Sequence, residues 1–129
     1  MKVLIMAAGT GGHVFPAISI AQELMSRGVS VEWLGTPTGL ENDLLKGTDI
    51  PIHQVSIKGL RGSGFMRLLL APIMLISAFW HSLRIIRRVA PDCVLGMGGF
   101  VCGPAGLAAK FRGKPLLIHE QNAVAGLTN

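Results

Sequence analysis

The chain contains no tyrosine, two cysteines and seven acidic residues. Cys93 and Cys102 are too few for a disulfide scaffold and lack the CxxC or Cys/His spacing of a zinc site, so we expect reduced thiols. Only 15% of the residues are charged and 50% are hydrophobic, a composition that excludes a disordered chain. A length of 129 residues suffices for one compact domain and is too short for two ordinary ones.

Long hydrophobic runs are also missing. The longest apolar block, residues 68–80, contains Pro72 and Ser77, whereas a helix that spans a bilayer needs about 20 apolar residues. The amino-terminal segment lacks the apolar stretch and the small-residue cleavage site of a signal peptide. We therefore expect neither a membrane span nor a secretion signal.

Negative charge is absent from one contiguous third of the chain. Between Asp49 and Asp92 there is no acidic residue, and this interval contains six basic residues: Lys58, Arg61, Arg67, Arg84, Arg87 and Arg88. The formal net charge of the whole chain is +5. A basic segment around the most apolar stretch suits an anionic membrane surface. It suits a nucleic acid less well, because nucleic-acid binders usually combine basic residues with stacking aromatic side chains.

Short apolar runs alternate with helical patterns and glycine turns, an arrangement typical of βαβ units. We predict strands at 2–7, 30–34, 52–57, 92–95 and 115–119, and helices at 15–26, 40–46, 65–89 and 104–111. Pro16 and Pro104 are expected in first helical turns, and Gly28 just past the end of the first helix. Right-handed crossovers then predict an α/β fold with a doubly wound, Rossmann-like parallel sheet in the order 3-2-1-4-5.

Glycine-rich or polar turns follow the first, fourth and fifth predicted strands, at residues 8–13, 96–100 and 119–122. In such a sheet these turns converge on the crevice where the chain reverses direction, which is where ligands bind. Exposed backbone N–H groups and the positive end of the following helix favour a phosphate or diphosphate there. The alternative is that glycine only allows a tight turn, which explains one such turn better than two.

Two common nucleotide-binding motifs do not fit this chain. The pattern GxGxxG, counted from Gly9, finds Gly11 but then Val14, and no acidic ribose partner follows the second predicted strand. A GxxxxGK[ST] segment is also absent. These observations disfavour a nucleotide-dependent oxidoreductase and an ATPase.

Three polar residues in these turns are candidates for chemistry. His13, at a helix start, could accept a proton from a hydroxyl, since the positive helix end favours the neutral imidazole; it could also merely cap the turn or hydrogen-bond a ligand. Glu120 could support catalysis by binding a sugar hydroxyl or by orienting a partner, or it could be a structural cap. Asn122 could bind sugar hydroxyls or form a turn.

The predicted helix 65–89 is apolar on more than one face. Leu69, Ile73, Ile76, Trp80 and Leu83 follow helical spacing, and Phe79 lies on another face. One face must cover the sheet, so we expect the second to rest on lipid, or alternatively on another domain or a dimer partner. The predicted membrane-facing residues are Arg67, Leu69, Ile73, Ile76, Phe79, Trp80, Lys110 and Phe111.

Four motifs follow one another along the chain: GTGGHVFPA from residue 9, GLRG from 59, GMGGFVCGP from 96 and HEQNAVAGLTN from 119. Together they resemble the MurG family. Members transfer N-acetylglucosamine from UDP-GlcNAc to undecaprenyl-diphosphate-linked MurNAc-pentapeptide. They have a two-domain glycosyltransferase fold of the B type (GT-B), so the resemblance implies that residues 1–129 form the acceptor-binding domain and that the donor-binding domain is absent from this chain.

The resemblance also implies roles for single residues. His13 would be the base for the muramyl hydroxyl in an inverting displacement without metal or cofactor. The acceptor diphosphate would lie against Gly9, Gly11, Gly12, Gly98 and Gly99. The donor sugar would contact Thr10, Gly11, Gly12 and Asn122. The family works at the cytoplasmic face of the bacterial inner membrane as peripheral proteins.

Three residues depart from the family pattern: Ala8 for a glycine, Phe100 for a tyrosine and Cys102 for a serine. A different class of function stays open, namely a membrane-recruiting, diphosphate-binding module without catalysis. We expect the isolated domain to be inactive in either case.

Overall fold

The computed structural model describes residues 1–8, 11–37, 39–55, 65–98 and 102–118. The strands of this part are β1 (Lys2–Ala7), β2 (Ser30–Gly35), β3 (Ile52–Gln54), β4 (Cys93–Gly98) and β5 (Leu116–Ile118). The helices are α1 (Gly11–Ser26), α2 (Glu41–Leu44), α3 (Phe65–Val89) and α4 (Cys102–Phe111). The predicted α/β class is confirmed.

All strand pairs of the sheet are parallel, in the order β3-β2-β1-β4-β5. This is the predicted doubly wound order, with the reversal between β1 and β4. In the register, Val3 of β1 lies between Val31 of β2 and Cys93 of β4. β2 and β3 therefore lie on one side of β1, and β4 and β5 lie on the other.

Two apolar layers cover the sheet, because side chains along a strand alternate between its faces. Leu4 and Met6 belong to the layer that α3 and α4 cover. Val3, Ile5 and the fully buried Trp33 belong to the layer that α1 covers. Helix α4 contributes three buried alanines, Ala105, Ala108 and Ala109. These small side chains let α4 lie close to the sheet, and α4 also packs against α3.

Several boundaries differ from the sequence predictions. Helix α1 begins at Gly11 rather than at Phe15, so Pro16 lies inside the helix and its placement in the first turn was wrong. The glycine turn continues directly into the helix, and a proline this near the start removes only one early hydrogen bond. Helix α4 begins two residues before Pro104. Strand β4 extends to Gly98, and the predicted end of the third strand, residues 56–57, lies outside the described residues.

The predicted end of α1 is confirmed. Gly28 has a φ of 82°, in the left-handed region that glycine adopts without strain. The Gly28 N–H donates to the Met25 carbonyl and the Val29 N–H to the Leu24 carbonyl. These bonds satisfy the last carbonyls of the helix and direct the chain into β2.

Candidate functional site

The two glycine-rich turns leave the sheet side by side. Strands β1 and β4 are neighbours, and at their carboxyl ends Ala7 pairs with Gly98 after a register shift between Met6 and Ala7. Gly98 has a φ of 117°, a conformation that favours glycine over every L-residue. The observed strand order therefore brings the carboxyl ends of β1 and β4 together at the reversal point, and the convergence of the turns themselves stays a prediction. Gly9, Thr10 and Gly99 themselves lie outside the described residues.

The first turn of α1 starts at this edge. Gly11 is its first residue, and the backbone of Gly12 and His13 continues it. The first N–H groups of a helix have no acceptor within the helix and lie at the positive end of its dipole. Such an end attracts a phosphate or diphosphate. Glu120 and Asn122 lie outside the described residues, so their place in this crevice stays a prediction.

Trp33 supports the end of β1. This fully buried indole donates its Nε1–H to the Ala7 carbonyl oxygen at 2.9 Å. The bond constrains the last residue of the strand directly before the glycine turn. No local sequence pattern marks Trp33, although a buried tryptophan needs an acceptor for its N–H and can indicate such a hydrogen bond.

A second group, which no sequence motif reveals, lies at the carboxyl end of β2. The buried Glu41 carboxylate accepts hydrogen bonds from the Thr36 N–H at 2.9 Å and from its hydroxyl at 3.2 Å. The Asn42 amide donates to the carbonyls of Thr36 and Gly39 at 2.6 and 3.0 Å. Gln54 of β3 donates to Asn42 Oδ1 at 2.6 Å. These bonds hold the loop before α2 against the same edge of the sheet as the glycine turns.

The exposed members of the predicted membrane-facing set, as far as the structure describes their side chains, form one surface of α3 and α4. We call Ile73, Ile76, Trp80 and Phe111 the apolar face; each has more than half of its surface exposed. Phe79 differs from its prediction, because it is half-buried against the core rather than exposed. Its ring meets those of Trp80 and Phe111 edge to face, with centroids 5.7 and 6.1 Å apart. The aromatic rings of α3 and α4 thus belong to one contiguous surface.

Basic residues border the apolar face. Arg84 follows Trp80 by one helical turn, and Lys110 precedes Phe111; both are exposed. The side chains of Arg67 and Leu69 lie outside those described, although both residues belong to α3. None of the helices, as far as the described residues show, is both long and apolar enough to cross a bilayer. In the same residues, no three histidine, cysteine, aspartate or glutamate side chains cluster in a way that could hold a metal ion.

Comparison with known proteins places the chain in a family. Residues 3–129 match the family model of the glycosyltransferase family 28 N-terminal domain. The UDP-N-acetylglucosamine–N-acetylmuramyl-(pentapeptide) pyrophosphoryl-undecaprenol N-acetylglucosamine transferase of Azotobacter vinelandii is 58% identical over 128 residues. This match covers 99% of the chain and 36% of the relative. The chain therefore spans little more than a third of the length of the curated relatives that it matches.

Solved structures agree with this placement. The crystal structure of Acinetobacter baumannii MurG matches 98% of the chain and 37% of its own length, with 54% identity and a TM-score of 0.87. A UDP-GlcNAc 2-epimerase from Neisseria meningitidis, bound to UDP-GlcNAc, shares the fold at 19% identity, with a TM-score of 0.66, over 93% of this chain and 32% of its own. The resemblance to the MurG family is thus confirmed, and the chain belongs to the glycosyltransferase family 28 N-terminal domains.

Proposed function

We propose that this chain is the acceptor-binding part of an N-acetylglucosaminyltransferase. The enzyme transfers GlcNAc from UDP-GlcNAc to undecaprenyl-diphosphate-linked MurNAc-pentapeptide in peptidoglycan synthesis. The main support for this proposal is the 58% identity, over 99% of the chain, to a transferase named for this reaction. The adjacent ends of β1 and β4 support it, because two glycine-rich turns that leave the sheet together suit a diphosphate.

In this proposal the acceptor diphosphate lies against Gly9, Gly11, Gly12, Gly98 and Gly99. His13 takes the proton from the muramyl hydroxyl, whose oxygen then bonds to the anomeric carbon of GlcNAc. The bond from that carbon to UDP breaks, its electron pair leaves with the diphosphate, and the configuration inverts. Helix α1, with His13 in its first turn, supports this role. Glu120 assists as a supporting group.

The donor is shared with a second domain. We propose that Thr10, Gly11, Gly12 and Asn122 contact the GlcNAc of the donor and that a carboxyl-terminal domain binds most of the nucleotide. The support is that the relatives are nearly three times as long as this chain, which covers 36% of them. UDP-GlcNAc binding by the natural protein, and its loss in a protein restricted to residues 1–129, would test this division.

Replacement of His13 tests the catalytic role. In the natural protein, His13→Gln should lower kcat by a factor of about 100 or more, because a positioned base contributes about that much to the rate. The KM for the lipid acceptor should change little. Gln22→Ala, an exposed change on the same helix, is the matched control and should leave both constants unaltered. Unchanged turnover in His13→Gln would remove this residue as the base.

We further propose that the apolar face rests on the cytoplasmic surface of the bacterial inner membrane, so that the enzyme is a peripheral protein. The support is the exposure of Trp80, 56%, and Phe111, 72%, beside the exposed basic residues Arg84 and Lys110. Trp80→Glu or Ile76→Glu should weaken sedimentation with anionic vesicles. Met25→Glu, an exposed apolar residue of α1 on the other layer, should not. Equal sedimentation of all variants would contradict the membrane role.

A further inference from the structure

A groove lies between α3 and β3, the outermost strand of the described sheet. It has a volume of about 320 Å³, and its lining residues are Gln54, His81, Arg84, Ile85 and Arg88. The four α3 residues recur at helical spacing, so their side chains reach the same side of the helix. The helix thus presents two guanidinium groups and an imidazole to one open space, and Gln54 of β3 belongs to the facing wall.

The cations of this groove lie in the part of the chain that has no carboxylates, between Asp49 and Asp92. The ion pairs among the described residues are Lys2–Glu32, Arg27–Glu23, Lys46–Asp43 and His53–Glu32. None of them includes Arg84 or Arg88. An anionic ligand would therefore meet two guanidinium groups without competition from these carboxylates.

Arg88 is held in position by the strand beside it. Its Nη2 lies 3.4 Å from Nδ1 of His53, whose Nε2 is 2.8 Å from Glu32 Oε1. This chain of contacts runs from α3 through β3 to β2 and limits the freedom of the arginine side chain. Less ordering is then needed when a ligand binds, which favours a defined site over diffuse attraction. Guanidinium groups bind carboxylates through paired hydrogen bonds, so the groove suits a carboxylate.

The edge of β3 adds backbone groups to this wall. The Trp33 N–H donates to the Pro51 carbonyl, and the Val55 N–H donates to the Gly35 carbonyl, each at 2.9 Å. Because successive residues of a strand direct their backbone groups to opposite sides, the N–H and C=O of Gln54 point away from β2. A strand edge that offers such groups can pair with an extended peptide. Together with the arginines, it suits the carboxyl end of a peptide.

The groove opens near the edge of the sheet at which the glycine turns begin. Gln54 pairs with Gly35, and Leu34 pairs with Met6, so Gln54 is level with Ala7 at the end of β1. The strands β3 and β1 are two places apart in the sheet, a distance of about 10 Å. Five extended residues span up to about 17 Å. A pentapeptide on a sugar held at the glycine turns can therefore reach the groove.

We infer that the groove binds the carboxyl-terminal carboxylate of the peptide on the acceptor. Arg84 and Arg88 hold the carboxylate oxygens, His81 supplies a further N–H donor, and the edge of β3 at Gln54 pairs with the peptide backbone. This inference rests on the proposed function, in which the acceptor sugar carries a pentapeptide. It assigns to the groove a role in specificity, because acceptors with a free peptide carboxylate are preferred.

The test compares two lipid-linked acceptors that differ only at the end of the peptide, a free carboxylate or a primary amide. With the natural protein, the KM should be about tenfold lower for the carboxylate acceptor at an unchanged kcat. Arg88→Gln should raise that KM about tenfold and leave the KM for the amide acceptor unaltered. Arg87→Gln is the matched control: it removes the same charge from an exposed position of α3 outside the groove and should preserve the ratio of the two KM values.

The ratio of the two KM values is the decisive quantity. Both acceptors carry the same lipid and diphosphate, so a change in membrane contact or in the glycine turns would alter both KM values equally. Equal KM values for the two acceptors with the parent protein would overturn the inference, and so would an equal rise of both in Arg88→Gln. Arg84→Gln should also bring the two KM values together, and it provides the second variant if Arg88→Gln does not fold. Failure of the parent protein to use either acceptor would instead refute the proposed function itself.

Discussion

Phe79 of α3 and Phe111 of α4 meet edge to face, with ring centroids 6.1 Å apart and planes inclined at 79°. Phe79 also packs against the core, so it anchors the exposed ring of Phe111 to the body of the domain. Through this contact the exposed side chains of α3 and α4 become one apolar face instead of two separate patches. A rigid aromatic group on such a face can insert into a membrane interface at little conformational cost.

Phe111→Ala should therefore weaken vesicle binding while leaving the fold intact. Insertion of a phenylalanine is worth roughly 1.5 kcal/mol or more, so the affinity for phosphatidylglycerol vesicles should fall about tenfold. Phe15→Ala, which removes an exposed ring from α1 on the other layer, is the control and should not change the affinity. Equal affinities of Phe111→Ala and the parent protein would exclude Phe111 from the membrane contact.

Trp33→Phe should lower both stability and acceptor affinity. The substitution removes the 2.9 Å hydrogen bond to the Ala7 carbonyl and leaves that buried acceptor without its donor. We expect a loss of about 1 to 2 kcal/mol in the free energy of unfolding. Because Ala7 directly precedes the glycine turn, the KM for the lipid acceptor should rise. Trp80→Phe, at an exposed tryptophan, is the control and should leave the stability unchanged. If Trp33→Phe did not change the KM, the hydrogen bond to Ala7 would have no part in shaping the acceptor site.

Two glycine-to-alanine changes should act in opposite directions. A Cβ at Gly39 would overlap the carboxylate of the buried Glu41, and we expect a cost of about 2 to 3 kcal/mol. A Cβ at Gly106 of α4 would meet only Leu116 Cδ2 at 3.5 Å, an ordinary contact. Gly106→Ala should stabilise the protein by about 0.5 to 1 kcal/mol through helix propensity. Urea unfolding of both variants checks the signs, and two losses of similar size would contradict the open packing around Gly106.

Glu32→Gln should destabilise the protein only where the carboxyl is ionised. Burial raises the pKa of Glu32, but the hydrogen bonds and charges of His53 and Lys2 outweigh it and hold the pKa below its ordinary value of 4.5. The folded state therefore gains stability above that value and loses it as the pH falls through the lowered pKa. Near neutral pH the variant should be about 1 kcal/mol less stable than the parent.

The pH profile is the informative measurement for this carboxyl. The difference between Glu32→Gln and the parent should shrink as the pH is lowered below 4.5. Glu23→Gln is the control, because its ion pair with Arg27 is exposed on both sides and contributes little at any pH. A difference for Glu32→Gln that does not depend on pH would mean that the carboxylate charge has no part in the network.

Ser82→Ala should stabilise the protein. Ser82 is fully buried in α3, and its hydroxyl has no hydrogen-bond partner among the described residues. Removal of an unpaired buried hydroxyl relieves a desolvation cost of about 1 kcal/mol. Thermal unfolding would show a higher midpoint for Ser82→Ala. A lower midpoint would show that the hydroxyl has a partner whose bond the substitution removes.

The elements of the fold could be predicted from the sequence, because each depends on the periodicity of its own residues. β1 and α3 have their predicted bounds, and the strand order follows from the handedness of the crossovers. The start of α1 was misplaced, since glycines do not show whether a turn already has helical geometry. Of the site, the sequence predicted that two glycine-rich turns follow neighbouring strands. Their place at these strand ends follows from the strand order.

The sequence by itself determined the parallel sheet, the placement of two glycine-rich segments after neighbouring strands and the basic, apolar character of α3. Only the tertiary structure decided which distant residues meet. It ties Trp33 to Ala7, buries Glu41 against Thr36, joins Phe79 to Phe111 and places Gln54 beside the arginines of α3. The physical reason is that periodicity and turn preference are local properties of the chain, whereas these contacts depend on how separate elements pack across the sheet.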